Sequence, residues 1–259
     1  MQKTHLDSPV KPFIVLSLPR TGSTSLSLLL NAHPAVRCAL EPFHPNRAGG
    51  RFHRAAIESG DIQRVLRLLL TRVSGIKHVL EASGWPFEQH PHLNYDLLSG
   101  EKLTVVTLSR QNLLARVISN FLCRQTGYWI GTKEGFRHSL DSTRVSPIST
   151  LEVKRQIEQD QKEYANIHRY LRLMGIRHLN LVYEQLFSHN GTAGDNYVQV
   201  CRLFDFLSIE NVSFSTFLRT FNCYLSVDKK WADIDTLKRI PNICEINREL
   251  GSDEFGWLW

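Results

Sequence analysis

A run of β-favouring apolar residues, Phe13-Ile14-Val15-Leu16, opens the patterned part of the chain and passes through Pro19-Arg20-Thr21-Gly22-Ser23-Thr24-Ser25 into a leucine-rich stretch. This order predicts strand, tight loop and helix. Leu26, Leu29 and Leu30 fall on the helix's buried side, and Pro34 ends it near Asn31 because the residue before a proline disfavours helical geometry. Ile62, Val65, Leu66, Leu69, Leu70 and Val73 recur at helical spacing, with Gly75 as a stop signal. Leu103 to Leu108 reads as a second buried strand in the stretch that opens at Lys102, followed by a helix that turns Leu113, Leu114, Val117, Ile118, Phe121 and Leu122 inward. Ser149-Thr150-Leu151-Glu152 reads as a capping box before a long polar helix with the apolar line Val153, Ile157, Tyr164, Ile167 and Leu171, closed by Met174-Gly175. Leu179 to Tyr183 is a third strand, and a further helix follows Thr192. The segments Ala35 to Pro45, Asn46 to Arg54 and Glu81 to Asp96 read as loops or solvated connections.

Strands alternating with helices predict an α/β fold: three layers, P-loop-like, with a central, mainly parallel sheet flanked by helices. The 259 residues contain no Pro/Gly/Ser-rich linker, so one domain is expected over 1–259, with 1–11 as a flexible N-terminal extension. Lys plus Arg number 31 against 25 for Asp plus Glu, a formal charge of +6 that suits an anionic cofactor or substrate. There is no clustered Lys/Arg run of the kind a nucleic-acid binder uses. The 5 cysteines form no CxxC pair, which argues against a disulfide framework or a zinc site. His90-Pro91-His92 lacks further ligands at metal spacing. No apolar run reaches bilayer-spanning length and the N-terminus has no signal-peptide core, so a cytoplasmic protein is expected.

The Pro19–Ser25 loop suits a bound phosphate. Gly22 admits close backbone approach, the following helix presents its positive end, Arg20 is a permanent cation, and Thr21, Ser23, Thr24 and Ser25 offer hydroxyls. It is not the nucleotide-triphosphate P-loop, because no Lys follows Gly22. PRTGSTSL instead resembles the 5′-phosphosulfate-binding loop of sulfotransferases that use 3′-phosphoadenosine 5′-phosphosulfate (PAPS; product PAP). Arg110, just beyond the second strand, is followed nine residues later by Ser119, and this spacing resembles the 3′-phosphate element of bacterial sulfotransferases. RQTGYW, from Arg124 to Trp129, is similar to the nodulation-factor type, and VYEQLF and the IPN..E....L tail also look like family elements. Arg116 reads either as a candidate for the adenosine side or as a solvated helix residue, and Tyr128 and Trp129 are candidates for ring stacking or core packing.

The resemblance implies a sulfuryl transfer from PAPS to a hydroxyl on a carbohydrate, glycolipid or other small molecule, with no metal. Enzymes resembling the nodulation-factor and trehalose sulfotransferases place a Glu shortly after the first helix as the general base, which by resemblance is Glu41. His44 is the rival, since the cytosolic steroid and phenol enzymes use His. Tyr183 and Glu184 read as architectural. Trp85, Phe87, His90 and His92 are candidates for an acceptor pocket, and Arg47, Arg51, His53 and Arg54 for a basic lid beside it. The glycine-rich closing motif of the steroid-type enzymes is absent, leaving Lys229, Lys230 or Arg239 as candidate replacements for its charge. Two other classes stay open: a P-loop kinase or hydrolase, and a non-catalytic module binding phosphorylated nucleotide or glycan.

Overall fold

The computed structural model describes residues 10–100, 103–129, 131–187, 192–225 and 233–259. Residues 1–9 of the expected extension, together with Lys102, Asn190, Gly191, Lys229 and Lys230, lie outside the described residues. Lys11 donates its backbone N–H to the Leu207 carbonyl at 3.1 Å, which ties the start of the described chain to the body.

Five parallel strands make the central sheet in the order β2-β3-β1-β4-β5: β1 Phe13–Ser17, β2 Cys38–Leu40, β3 Gly75–Val79, β4 Thr104–Ser109 and β5 His178–Val182. Side chains of β1 alternate between two cores. Phe13 and Val15 pack with Leu26, Leu29 and Leu30 of α1 (Ser23–Asn31) and with the helix Ala193–Leu207. Ile14 and Leu16 pack on the opposite face with α3 (Ile62–Leu70) and the long helix Thr150–Leu173. Helices therefore cover both faces, as buried parallel strands require. The expected three-layer α/β architecture is the one observed.

Two strands escaped the periodicity. β2 is three residues long and β3 reads GIKHV, so neither offers an apolar run. Gly75, expected to stop a helix, instead opens β3; α3 ends at Leu70. The Asn46–Arg54 stretch is not a solvated connection but a 3-10 turn, Arg47–Gly50, running into α2 (Arg51–Ser59). Its polar sequence hides a helix that buries little more than Ala56. Glu81–Asp96 likewise closes in a short helix, His92–Asp96. Ser149 caps the long helix through its hydroxyl, while the reciprocal capping box is found instead between Thr192 and Asp195. No described helix is long and apolar enough to cross a membrane.

β3 also carries a buried histidine. Asn94 donates from Nδ2 to the Gly84 carbonyl at 2.8 Å, leaving its Oδ1 to accept from His78 Nε2 at 2.9 Å, between the rings of Phe43 and Phe87. Burial pushes His78 down to about 4, against the opposing hydrogen bond to Asn94 and the charge of Glu41. Between that value and 6.5 the unfolded chain binds a proton that the native state does not, so stability is present above the unfolded value and is lost as pH falls. The loss should reach about 3 kcal/mol from this one site. Urea unfolding between pH 7 and pH 4 should show a flatter dependence in His78→Gln than in the wild type; parallel curves would refute the assignment.

Candidate active site

The chain passes from β3 to β4 across β1, which makes the carboxyl end of β1 a topological switch point where open α/β sheets hold ligands. The loop leaving β1 turns through Arg20 at φ 64° and Gly22 at φ 82°. α1 then begins at Ser23 with no side-chain cap, which leaves the first-turn N–H groups and the positive helix end for an anion. Ser23, Thr24 and Ser25 lie in that first turn. Thr21 is different: it is buried and its hydroxyl donates to the Leu18 carbonyl at 2.8 Å, so its side chain holds the loop's shape.

Gly22 is required twice over. Its backbone lies in the left-handed region, and a Cβ would come within 2.9 Å of ring carbons of both Tyr183 and Phe187. Gly22→Ala should cost about 1–2 kcal/mol from the backbone alone, with the ring contacts adding to it. Chemical denaturation checks this, and an unchanged midpoint would refute both the backbone cost and the ring contacts.

Arg110 and Ser119, paired in the sequence by their spacing, both meet this loop. Arg110, at the end of β4, donates from Nη1 to the Arg20 carbonyl at 3.1 Å, and its guanidinium carbon lies 4.5 Å above the Tyr183 ring. Arg20 in turn donates from Nε to Ser119 Oγ at 3.1 Å and from Nη1 to the Trp129 carbonyl at 3.1 Å. Ser119, on the helix Leu113–Thr126, thus accepts from Arg20 and keeps its own proton to donate. Glu184, expected to pin neighbouring backbone, does so: its carboxylate accepts from the N–H groups of Gln111 at 2.9 Å and Asn112 at 3.0 Å. It also lies 4.0 Å from Arg110 Nε, an atom without a hydrogen-bond partner among the described residues.

Arg116, which the sequence left between the adenosine side and a solvated surface, is wholly buried. It donates to Asp160 Oδ2 on the long helix and to the Pro19 carbonyl at 2.9 Å. It therefore anchors the start of the Pro19–Ser25 loop. Tyr128 packs on Phe136 with ring centroids 5.9 Å apart, whereas the Trp129 side chain is exposed. Arg239 pairs with Asp141 at 2.6 Å in an exposed ion pair.

Glu41 follows β2, at φ 51°, and its N–H bonds the Lys77 carbonyl at 3.1 Å, extending the β2–β3 pairing by one residue. Among the described non-glycine residues with positive φ, Arg20 and Glu41 both stand in this crevice and Ser208 lies elsewhere, and strained backbone of this kind concentrates at functional sites. The Glu41 carboxylate accepts from Lys77 Nζ at 2.5 Å and lies 3.5 Å from Arg47. Burial raises its proton affinity, but the charge and hydrogen bond of Lys77, then Arg47 and His44, outweigh burial and hold the carboxyl below the usual range. Lys77 Nζ also donates to Thr24 Oγ1 at 2.7 Å, so the first turn of α1 and the carboxylate share one ammonium.

His44 remains close by. Its Nδ1 accepts from the Asn46 N–H at 3.0 Å and its ring meets Trp85 edge-on at 5.1 Å. Glu41, His44, His78, Val79, Trp85 and Pro86 line a small pocket. Of the expected acceptor-side residues, Trp85 lies on this pocket, whereas Phe87 is buried, stacked on His53 at 5.1 Å. His90 and His92 meet edge-on at 6.1 Å, and among the described residues no group of three or more His, Cys, Asp or Glu is arranged to hold a metal.

Every strand thus delivers a group to the same edge: Arg20 after β1, Glu41 after β2, Lys77 from β3, Arg110 after β4, and Tyr183 and Glu184 after β5. Lys77 is the residue the sequence reading missed. The one trace of it in the sequence was a lysine inside a five-residue segment that runs from Gly75 to Val79.

Residues 12–99 match the family model described as "Sulfotransferase family". That span includes the Pro19–Ser25 loop, Glu41 and Lys77, while Arg110 and Ser119 lie beyond it. The match bears out the sulfotransferase resemblance read from PRTGSTSL. Two solved structures are similar in fold to this chain: a sulfotransferase from Alicyclobacillus acidocaldarius (15% identity, 93% of this chain and 97% of that chain covered, TM-score 0.44) and the sulfotransferase domain of the Synechococcus PCC 7002 olefin synthase (15% identity, 94% and 98% covered, TM-score 0.41). No curated protein matches the chain significantly.

Proposed function

We propose that this chain is a sulfotransferase that moves a sulfuryl group from PAPS to the hydroxyl of a carbohydrate, glycolipid or other small-molecule acceptor, without a metal. The observation that carries the reading is the hydrogen bond from Arg110 to the Arg20 carbonyl, 90 residues apart, beside the bond from Arg20 to Ser119. It joins the two phosphate elements into one cationic crevice with a carboxylate on its rim. The residues suit a molecule carrying phosphate at two ends. The α1 N-terminus, Arg20 and the Thr24 and Ser25 hydroxyls would hold the 5′ side; the Arg110 guanidinium and Ser119 would hold the 3′-phosphate.

Bound PAPS supplies the activated sulfuryl group. Glu41 accepts the proton of the acceptor hydroxyl as its oxygen bonds to sulfur. Arg20 and the α1 N-terminus stabilise the negative charge left on the phosphate-side oxygen when the old sulfur–oxygen bond breaks. The loop at Arg20 is held in place before reaction by Arg116 and Arg110, and Glu41 by Lys77 and Arg47, so little reorganisation accompanies transfer.

Calorimetric titration with PAP, against ATP with magnesium, tests the reading. Selective metal-independent binding of PAP is the expected result. Failure to bind PAP, or preference for ATP with magnesium, would replace it with the kinase or hydrolase reading.

A further inference from the structure

Lys77 is placed where a lysine is costly. It lies mid-strand in a parallel sheet, opposite Val15 of β1 and Leu40 of β2, with its side chain 4% exposed. Burial of an ammonium is strongly unfavourable unless it is paired and hydrogen-bonded. Strand alternation sends Ile76 and His78 to the α3 face and Lys77 to the α1 face, where its partners come from different elements: Glu41 after β2 and Thr24 on α1.

Resting on the sulfuryl-transfer reading of the crevice, we propose that Lys77 is a positioning residue that ties the base to the donor loop, holding the Glu41 carboxylate beside Thr24 and aimed at the acceptor hydroxyl. Around this pair, Glu41 faces Lys77 from β3, Arg47 from the 3-10 turn and His44 from its own loop, while Lys77 faces Glu41, Arg47 and Arg20. Burial lowers the proton affinity of Lys77, and Glu41 opposes that. Burial alone would favour a protonated Glu41, and Lys77 is the largest influence against it. Without Lys77 the carboxyl therefore retains its proton to higher pH, and a protonated carboxyl takes no proton from the acceptor.

The test needs no acceptor. Protein labelled with [13C-carboxyl]glutamate is titrated by NMR as wild type, Lys77→Met and Lys77→Arg, with the Glu41 signal assigned from Glu41→Gln. The Glu41 midpoint should move upward in Lys77→Met and return most of the way in Lys77→Arg. An unshifted midpoint overturns the proposal. If Lys77→Met does not fold, the coupling is read from the other partner, since linkage is reciprocal. In [15N]lysine-labelled Glu41→Gln, Lys77 should lose its proton at lower pH than in the wild type, and an unchanged titration overturns the proposal. Wild-type protein that fails to bind PAP removes the sulfuryl-transfer reading and the base role with it. PAP binding with an unshifted Glu41 removes the role of Lys77 alone.

Discussion

Glu41→Gln is expected to lower sulfuryl transfer by about 10²- to 10⁴-fold, the range typical of a lost general base, with PAP binding retained. The substitution keeps the shape of the side chain and an oxygen for Lys77 Nζ to donate to, so the rim of the crevice should stand. What it removes is the capacity to take a proton. The measurement is label transfer from PAPS to whichever hydroxyl acceptor a panel screen returns, alongside PAP calorimetry on the same variant. Retained binding with lost turnover supports the assignment. Unchanged product formation would remove Glu41 as base and pass the role to His44, which shares the Trp85 pocket with it. In the wild type, activity should fall only on the acid side of the usual carboxylate range, because Lys77 keeps Glu41 ionised at lower pH than an isolated glutamate.

Arg110→Ala should weaken PAP by about 10- to 100-fold, the equivalent of one or two charge-assisted hydrogen bonds, while adenosine 5′-phosphate changes by less than about threefold. The two ligands differ only in the 3′-phosphate, so their ratio isolates that contact. Arg110 also supports the Arg20 carbonyl and stacks on Tyr183, and any loosening of the loop would reduce both affinities together. Equal loss for both ligands would sink the 3′-phosphate assignment and make Arg110 a prop for the loop. Arg110→Lys should recover part of the PAP affinity, because charge returns without the planar fork.

The first strand, loop and helix were legible because each is specified by neighbours in sequence: an apolar run, a glycine at the turn and a leucine stripe. Arg110 was legible because it follows β4, a β-favouring segment rich in valine, threonine and leucine. Lys77 was not, since its burial depends on Glu41, 36 residues away, and a charged residue in a short strand conceals the strand itself. Arg116 could not be told from a surface residue of its helix, because its burial depends on Asp160, 44 residues away. The α2 helix went unread for a different reason: it is amphipathic but so polar that its basic residues suggested a solvated connection. Thr21 had the right chemistry for a phosphate donor, but the turn of the loop directs its hydroxyl to Leu18 instead.

By itself the sequence determined the order of strands and helices it could mark with apolar runs, the conformational freedom at Gly22, and the residue types available to meet phosphate. Local propensity and side-chain chemistry suffice for these, because they act over a few residues. Only the tertiary structure decided which charges meet. The register of β3 between β1 and β2 brings Lys77 to Glu41 and Thr24, and the approach of the helix Leu113–Thr126 to the phosphate loop brings Ser119 to Arg20. A buried charge is tolerated only where an opposite charge is delivered by another segment, and that delivery is a property of sheet order and packing rather than of neighbours along the chain.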